Sequence, residues 1–176
     1  MTVDMADLTV TANLEAPRYT YVPGPFGDLL VATEDGAGLS RVWLPPAEPQ
    51  AGWRRDDELP ILAEARAQLL AYFAGERTSF DLTLAPRGTT FQRKVWDALC
   101  RIPYGVTRTY GQIADEVGAP GSARAVGSAN HDNPIAIVVP CHRVVGANGT
   151  LVGYAGGLAQ KRALLDLESS QERLPL

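Results

Sequence analysis

The sequence predicts an α+β protein: a small N-terminal antiparallel sheet with a helix, followed by a mainly helical domain containing a helix-turn-helix. Three observations carry this reading. Short β-prone runs separated by Gly and Pro crowd the first quarter of the chain. The stretch between Pro60 and Gly75 has apolar residues at helical spacing. Two Thr-x-x-Gln capping boxes, at Thr89 and Thr109, open helices in the second half.

Taken in order, residues 1–17 lack periodicity and are expected to form a flexible tail. Arg18 to Val22, Asp28 to Thr33 and Leu39 to Leu44 read as strands, punctuated by Pro23-Gly24-Pro25 and Asp35-Gly36. Residues 45–58 hold Pro45-Pro46 and Asp56-Asp57-Glu58 and read as a surface loop. Pro60 opens a helix with Ile61, Leu62, Ala65, Leu69 and Phe73 on one face, and Gly75 stops it. Phe80 to Leu84 reads as a further strand. The boundary is placed near Pro86-Arg87-Gly88, giving an N-terminal α/β domain over 18–86 and a C-terminal domain over 87–176.

In the second half, Thr89 caps a helix with Phe91, Val95, Leu99 and Ile102 on one face; Cys100 reads as a small core-facing residue. Pro103-Tyr104-Gly105 breaks this helix. Thr109 caps a short helix with Ile113, Ala114 and Val117 inward. Gly118-Ala119-Pro120-Gly121 turns the chain, and Ser122 is placed to cap a third helix through about Ala129. Two short helices about a Gly-containing turn make a helix-turn-helix candidate, although many helical hairpins bind nothing. The third helix carries Ala123, Ala125, Gly127, Ser128 and Ala129, small enough for close approach to either a neighbouring helix or a nucleic-acid groove. Arg124 stands at its positive end, where a cation does not serve helix stability. Its guanidinium can hydrogen-bond, stack, or replace an extruded base. Asn130 to Pro134 reads as a polar turn, with His131 solvated.

Ile135 to Val139 reads as a buried extended segment ended by Pro140, which presents Cys141 with His142 beside it. Such a thiol is inert unless something stabilises its thiolate. Gly146 to Gly149 forms a hairpin-like turn, Leu151-Val152 a short strand, and Gly153 to Gly157 a glycine-rich loop without a phosphate-binding pattern. The last helix runs from about Leu158 to Glu172 with Leu158, Leu164 and Leu165 inward. Glu168 shares that face, and a carboxylate there needs a partner. Arg143 and His142 are the candidates, and spacing alone weighs a structural ion pair equally with catalysis.

The net charge of −4 is unevenly spread: six basic against 13 acidic side chains over 1–86, ten against seven over 87–176. The acidic half argues against coating DNA by charge alone, while the basic half allows a modest footprint. The two cysteines, Cys100 and Cys141, are expected as free thiols of a cytoplasmic protein, and no Cys or His cluster has zinc spacing. Neither a signal peptide nor a bilayer span is expected.

Pro140-Cys141-His142-Arg143-Val144-Val145 resembles the acceptor signature of the O6-alkylguanine-DNA alkyltransferases, or methylated-DNA–protein-cysteine methyltransferases. Tyr104-Gly105, Thr109-Tyr110, Ala123-Arg124-Ala125-Val126-Gly127, Asn133-Pro134, Gly153-Tyr154, Gly156-Gly157 and Glu168 follow the same family pattern in order and spacing. The resemblance covers residues 89–168 almost completely, with a looser likeness before them. It implies that Cys141 takes the alkyl group from O6-alkylguanine, and from O4-alkylthymine, irreversibly and once per molecule. His142 would act through a water as its base, and Glu168 would orient His142. Asn133 would link the recognition helix to the site. Arg124 would enter the base stack, with Ala123, Gly127 and Ser128 in the minor groove. Tyr110 would press the phosphate and donate to the purine. Tyr154 would stack on the flipped base, the Ala155 N–H would face its oxygen, and the backbone at Cys141 and Val144 would accept from its amine. The partner implied is double-stranded DNA with alkylated bases, met by a monomer without metal or cofactor, cooperative loading being left open. Ala155 replaces a hydroxyl residue of some relatives, and the segment Asn133-Pro134-Ile135-Ala136 lacks their second proline. Two cysteines are too few for the structural zinc site of some relatives, and the length leaves no room for an added sensor domain. Three rivals predict differently: a module that binds lesions without transfer, a Cys–His peptide hydrolase with turnover, and a sequence-specific helix-turn-helix regulator.

Overall fold

The computed structural model describes residues 15–171. Residues 1–14 of the expected tail, and Glu172 at the expected end of the last helix, lie outside them. The chain folds as an α+β protein. Strands β1 (Arg18–Gly24) and β2 (Gly27–Thr33) form an antiparallel hairpin with Thr20 opposite Val31 and Val22 opposite Leu29. Strand β3 (Arg41–Trp43) extends it antiparallel to β2. A fourth strand, β4 (Arg54–Arg55), pairs parallel to β1, so the order is β3-β2-β1-β4. It lies within the expected surface loop. Two adjacent arginines give no period-2 apolar signal, and the pairing rests on backbone bonds, Arg54 N–H to Pro17 O at 3.0 Å and Asp56 N–H to Tyr19 O at 2.9 Å.

The expected strand Phe80 to Leu84 is not one. It meets the sheet at a single bridge, where Leu39 N–H donates to Thr83 O at 2.8 Å and Ala85 N–H to Leu39 O at 2.7 Å. Phe80, Leu82 and Leu84 do pack on the core, so the alternation is real. Helix α1 (Pro60–Phe73) has Pro at its start, as expected. Gly75 closes it at φ 76°, with Gly75 N–H to Tyr72 O and Glu76 N–H to Ala71 O. The buried face is Leu62, Ala65, Gln68, Leu69 and Tyr72, whereas Ile61 and Phe73 are only partly covered. The face is thus rotated from the expected one, and the rotation turns the Tyr72 hydroxyl inward.

Helix α2 (Thr90–Cys100) has its full capping box: Gln92 N–H donates to Thr89 Oγ1 at 3.1 Å and Thr89 N–H to Gln92 Oε1 at 2.9 Å. Cys100 is exposed rather than core-facing. It ends the helix on the wall of an open cleft of about 340 Å³, with Phe80 and Tyr104. Strand β5 (Arg108–Thr109) leads into α3 (Tyr110–Glu116), capped by Thr109 and Gln112. The turn carries Gly118 at φ 75° and Gly121 at φ 81°, conformations that favour glycine. Helix α4 (Ala123–His131) follows; Ser122 occupies the cap position without a side-chain cap bond. This helix outlasts its expected end at Ala129, so Asn130 is helical and buried and His131 is the last helical residue.

Leu151-Val152 forms no strand. Helix α5 (Leu158–Gln171) buries Leu164 and Glu168, but Leu158 is exposed, Leu165 half-buried, and Lys161 wholly buried in the first turns. Among the described residues, no helix is long and apolar enough to cross a membrane.

Trp96, on α2, fixes where α4 sits. It is buried, and its Nε1–H donates at 2.8 Å to the Ala129 carbonyl near the end of α4. Trp96→Phe keeps most of the apolar area but leaves that carbonyl unsatisfied, at a cost of roughly 1–3 kcal/mol. Urea unfolding of the variant should show the loss as a lower midpoint at unchanged slope.

Candidate functional site

The acceptor segment is built from turns. Ile135 to Val139 is buried as expected, but it is not extended. Val138 N–H donates to Ala136 O at 2.8 Å around Ile137, whose φ of 72° is rare for a β-branched residue. Cys141 N–H donates to Val139 O at 2.8 Å around Pro140, at φ −81° and ψ 64°. Two successive γ-turns therefore lead into a 3₁₀ turn, Cys141–Arg143. A run of apolar residues carries the burial signal but not this curvature, which polar side chains impose. Asn133 Oδ1 accepts from Ile135 N–H at 3.0 Å, and its Nδ2 donates to Val139 O at 2.9 Å. Asn130 Nδ2, from α4, donates to Cys141 O at 3.3 Å. Asn130 thus ties α4 directly to the cysteine, and Asn133 shapes the turns between them. After the 3₁₀ turn, β6 (Val144–Val145) pairs parallel to β5.

Cys141 is 5% exposed and lies on a cavity of about 50 Å³. Tyr110, Gly127, Asn133, Ala136, Tyr154 and Ala155 are among the other residues around it. Four of the walls, Leu44, Asn133, Ala136 and Ala155, also border a wider groove of about 390 Å³ that runs to Trp43 and Pro46. A Cβ at Gly127 would rest in ordinary van der Waals contact with the Tyr110 ring, 3.9 Å away. Burial pushes the Cys141 thiol up; the Asn133 amide, the Lys161 charge and local backbone N–H groups act the other way. The thiol therefore needs help to lose its proton.

Behind it stands a charged cluster. His142 and Glu168 are fully buried, with His142 Nε2 at 2.8 Å from Glu168 Oε1. Arg143 grips the same carboxylate twice, Nε to Oε2 and Nη2 to Oε1, both at 2.9 Å, and Nη1 donates to Ile102 O at 2.7 Å. Gly105 N–H donates to Oε2 at 3.4 Å, and Tyr72 O–H to Oε1 at 2.7 Å. Both sequence candidates thus partner Glu168 together. Burial raises the Glu168 pKa, but the bonds from His142 and Arg143 outweigh it and hold the group at about 2. An ionised carboxylate only accepts, so His142 carries its hydrogen on Nε2. Nδ1 is then a buried acceptor without a partner among the described residues. Burial lowers the His142 pKa below 6.5 against the pull of Glu168, so the imidazole is neutral at neutral pH.

The other expected residues fall around this centre. Arg124 and Ser128 are exposed on α4, and Ala123 is half-buried there. Tyr110 O–H donates to Val152 O at 3.1 Å. Tyr154 buries its hydroxyl oxygen without a partner among the described residues, and burial raises its pKa. Val144 does not border the cavity. It is fully buried, and its carbonyl accepts from Lys161 Nζ at 2.5 Å.

Sequence reasoning missed four residues. Lys161 Nζ also donates to Val152 O at 2.9 Å and Gly153 O at 3.3 Å, pinning the Tyr154 loop to the cysteine segment. Its position three residues before Leu164 on the apolar face was the available signal. Asn130 reads as part of a polar turn, and Trp96 is not singled out on its helix. Tyr72 lies three residues beyond Leu69 and so shares its face.

Two family models match, "6-O-methylguanine DNA methyltransferase, ribonuclease-like domain" over residues 18–86 and "6-O-methylguanine DNA methyltransferase, DNA binding domain" over residues 90–170. The methylated-DNA–protein-cysteine methyltransferase of Mycobacterium tuberculosis is 67% identical over 157 residues, covering 88% of this chain and 93% of that protein. The Methanosarcina acetivorans enzyme of the same name is 51% identical over 160 residues, covering 86% and 98%. A crystal structure of Mycobacterium tuberculosis OGT in complex with DNA superposes with a TM-score of 0.81 at 51% identity, over 88% of this chain and 94% of that one. With both halves matched and relatives this similar over nearly their whole length, the chain belongs to the 6-O-methylguanine DNA methyltransferase family.

Proposed function

We propose that this protein repairs DNA by moving the alkyl group of an O6-alkylguanine, or an O4-alkylthymine, onto Cys141. The observation that carries the reading is one nearly buried thiol on a small cavity bordered by the helix-turn-helix, with a neutral, carboxylate-oriented imidazole in the adjacent position. The alkyl carbon of such a lesion lies inside the duplex, so the base must leave the stack to reach the sulfur. Helix α4 presents a small-residue face suited to the minor groove, with Arg124 placed to fill the vacated stack. Tyr110 lines the cavity beside Gly127 of α4, where it can press the phosphate and donate to the purine. Tyr154 offers its ring to the base, and the Ala155 backbone N–H faces the lesion oxygen. Every group named comes from one chain, which supports action as a monomer on double-stranded DNA.

The chemistry closes on these residues. The Cys141 proton passes through a water to His142 Nδ1, and Glu168 stabilises the imidazolium through Nε2–H. The sulfur attacks the alkyl carbon in line, a C–S bond forms, and the C–O6 bond breaks. The electron pair goes to the purine oxygen, where hydrogen-bond donors meet the developing charge, and protonation completes the guanine. Nothing in the site hydrolyses a thioether, so each molecule acts once.

Mass spectrometry after mixing with an O6-methylguanine duplex should place one methyl on the peptide containing Cys141, at no more than one per protein. Repeated turnover would sink the proposal, and lesion binding with intact Cys141 unmodified would favour a module that only flags damage. Cys141→Ala should abolish transfer while duplex binding in a gel shift persists. Arg124→Ala should slow repair of duplex DNA by roughly tenfold or more, as expected when a few kcal/mol of flipping energy goes uncompensated. Its reaction with a small electrophile should stay unchanged. His142 is the base only when neutral, and its pKa is lowered in the fold, so single-turnover transfer should hold as pH falls through 6.5 and decline below it.

A further inference from the structure

The geometry points to Tyr72 as a positioning residue of the transfer reaction: from α1 in the N-terminal half, its hydroxyl shares Glu168 Oε1 with His142 and so sets how strongly that carboxylate draws a proton onto the imidazole. This rests on the proposed transfer to Cys141.

Tyr72 is fully buried, and its O–H donates to Oε1 at 2.7 Å across 96 positions of sequence. His142 Nε2 meets the same oxygen at 2.8 Å and Arg143 Nη2 meets it at 2.9 Å. Three donors on one oxygen compete for its electron density, so each weakens the others' hold. Arg143 and Gly105 occupy Oε2. The remaining ionisable groups near the pair are Tyr104 beside Glu168, Lys161 and Arg143, which oppose a positive imidazole, and Cys141 and Tyr154 on the cavity side. Among the described residues that bond the carboxylate directly, Tyr72 is the one supplied from outside the C-terminal half.

Its chemistry suits the task. A general base works best with a pKa near the operating pH, and an imidazole against a bare buried carboxylate rises well above that. It would rest protonated and be unable to take the Cys141 proton. A phenol donating to the carboxylate blunts that rise without adding charge. The ring is held by Phe73, Phe80 and Tyr104, with centroids 5.5, 5.4 and 6.1 Å away, so the hydroxyl is aimed by packing. Burial and the neighbouring carboxylate push its own pKa far up, so it stays a donor throughout the usable pH range.

The test is the pH dependence of single-turnover transfer from an O6-methylguanine duplex, with the His142 ring titrated in parallel by ¹⁵N NMR. Tyr72→Phe keeps the ring and removes the donor. Its acid limb and its imidazole titration should both move up by roughly half a unit or more. A fluorinated tyrosine placed only at position 72 donates more strongly and should move both down. A rate loss equal at every pH, or shifts of the same sign in the two variants, would overturn the assignment and leave Tyr72 a packing residue. Should Tyr72→Phe not fold, the fluorotyrosine protein decides the question alone. Wild-type protein that transfers nothing would instead refute the underlying reaction, so the two failures are distinguishable.

Discussion

One buried carboxylate organises the molecule. Removing Glu168 from water is costly, and the cost is offset only because its oxygens are met by the Arg143 fork, His142, Tyr72 and the Gly105 N–H. Those donors come from α1, from the loop after α2 and from the 3₁₀ turn. Satisfying them all requires α5, the N-terminal helix and the acceptor segment to dock in one arrangement. A buried ion pair of this kind is weak evidence for stability in itself, but it specifies a unique geometry at the one place where the chemistry needs it.

From that anchor the structure reaches α4 through two amides. Asn133 shapes the γ-turns, and Asn130 holds the Cys141 carbonyl to α4. Left-handed Ile137 stores strain on the order of 1–3 kcal/mol, which the surrounding bonds sustain. The result is a thiol whose position relative to α4 is set by hydrogen bonds as well as by packing. On the proposed reaction, a base brought to this thiol must arrive within a fraction of an ångström, and a loose loop would not serve.

Much of this was legible in the chain, and what was not has physical reasons. Both Thr–Gln capping boxes, the Pro60 start and the Gly75 stop are local signals, and all four hold. Local signals fail where tertiary partners decide. Arg54-Arg55 pairs through backbone alone; Phe80 to Leu84 alternates but finds only one bridge; Ile135 to Val139 is apolar yet curled by an asparagine upstream. Of the residues the motif singled out, Cys141 and His142 share one 3₁₀ turn, and His142 meets Glu168 at 2.8 Å. The supporting ones, Lys161, Asn130 and Tyr72, did not announce themselves. A lysine or tyrosine on an apolar stripe looks like a snorkelling or core residue until the opposing carbonyl or carboxylate is seen.

The span of the Tyr72 contact has a consequence for how such chains can be rebuilt. Ninety-six positions separate the hydroxyl from the oxygen it serves, so the two halves are not interchangeable cartridges. A chimera that borrowed its opening sheet and helix from elsewhere would keep all the donors on that carboxylate only if the borrowed helix placed a phenol at that single position, pointing the same way.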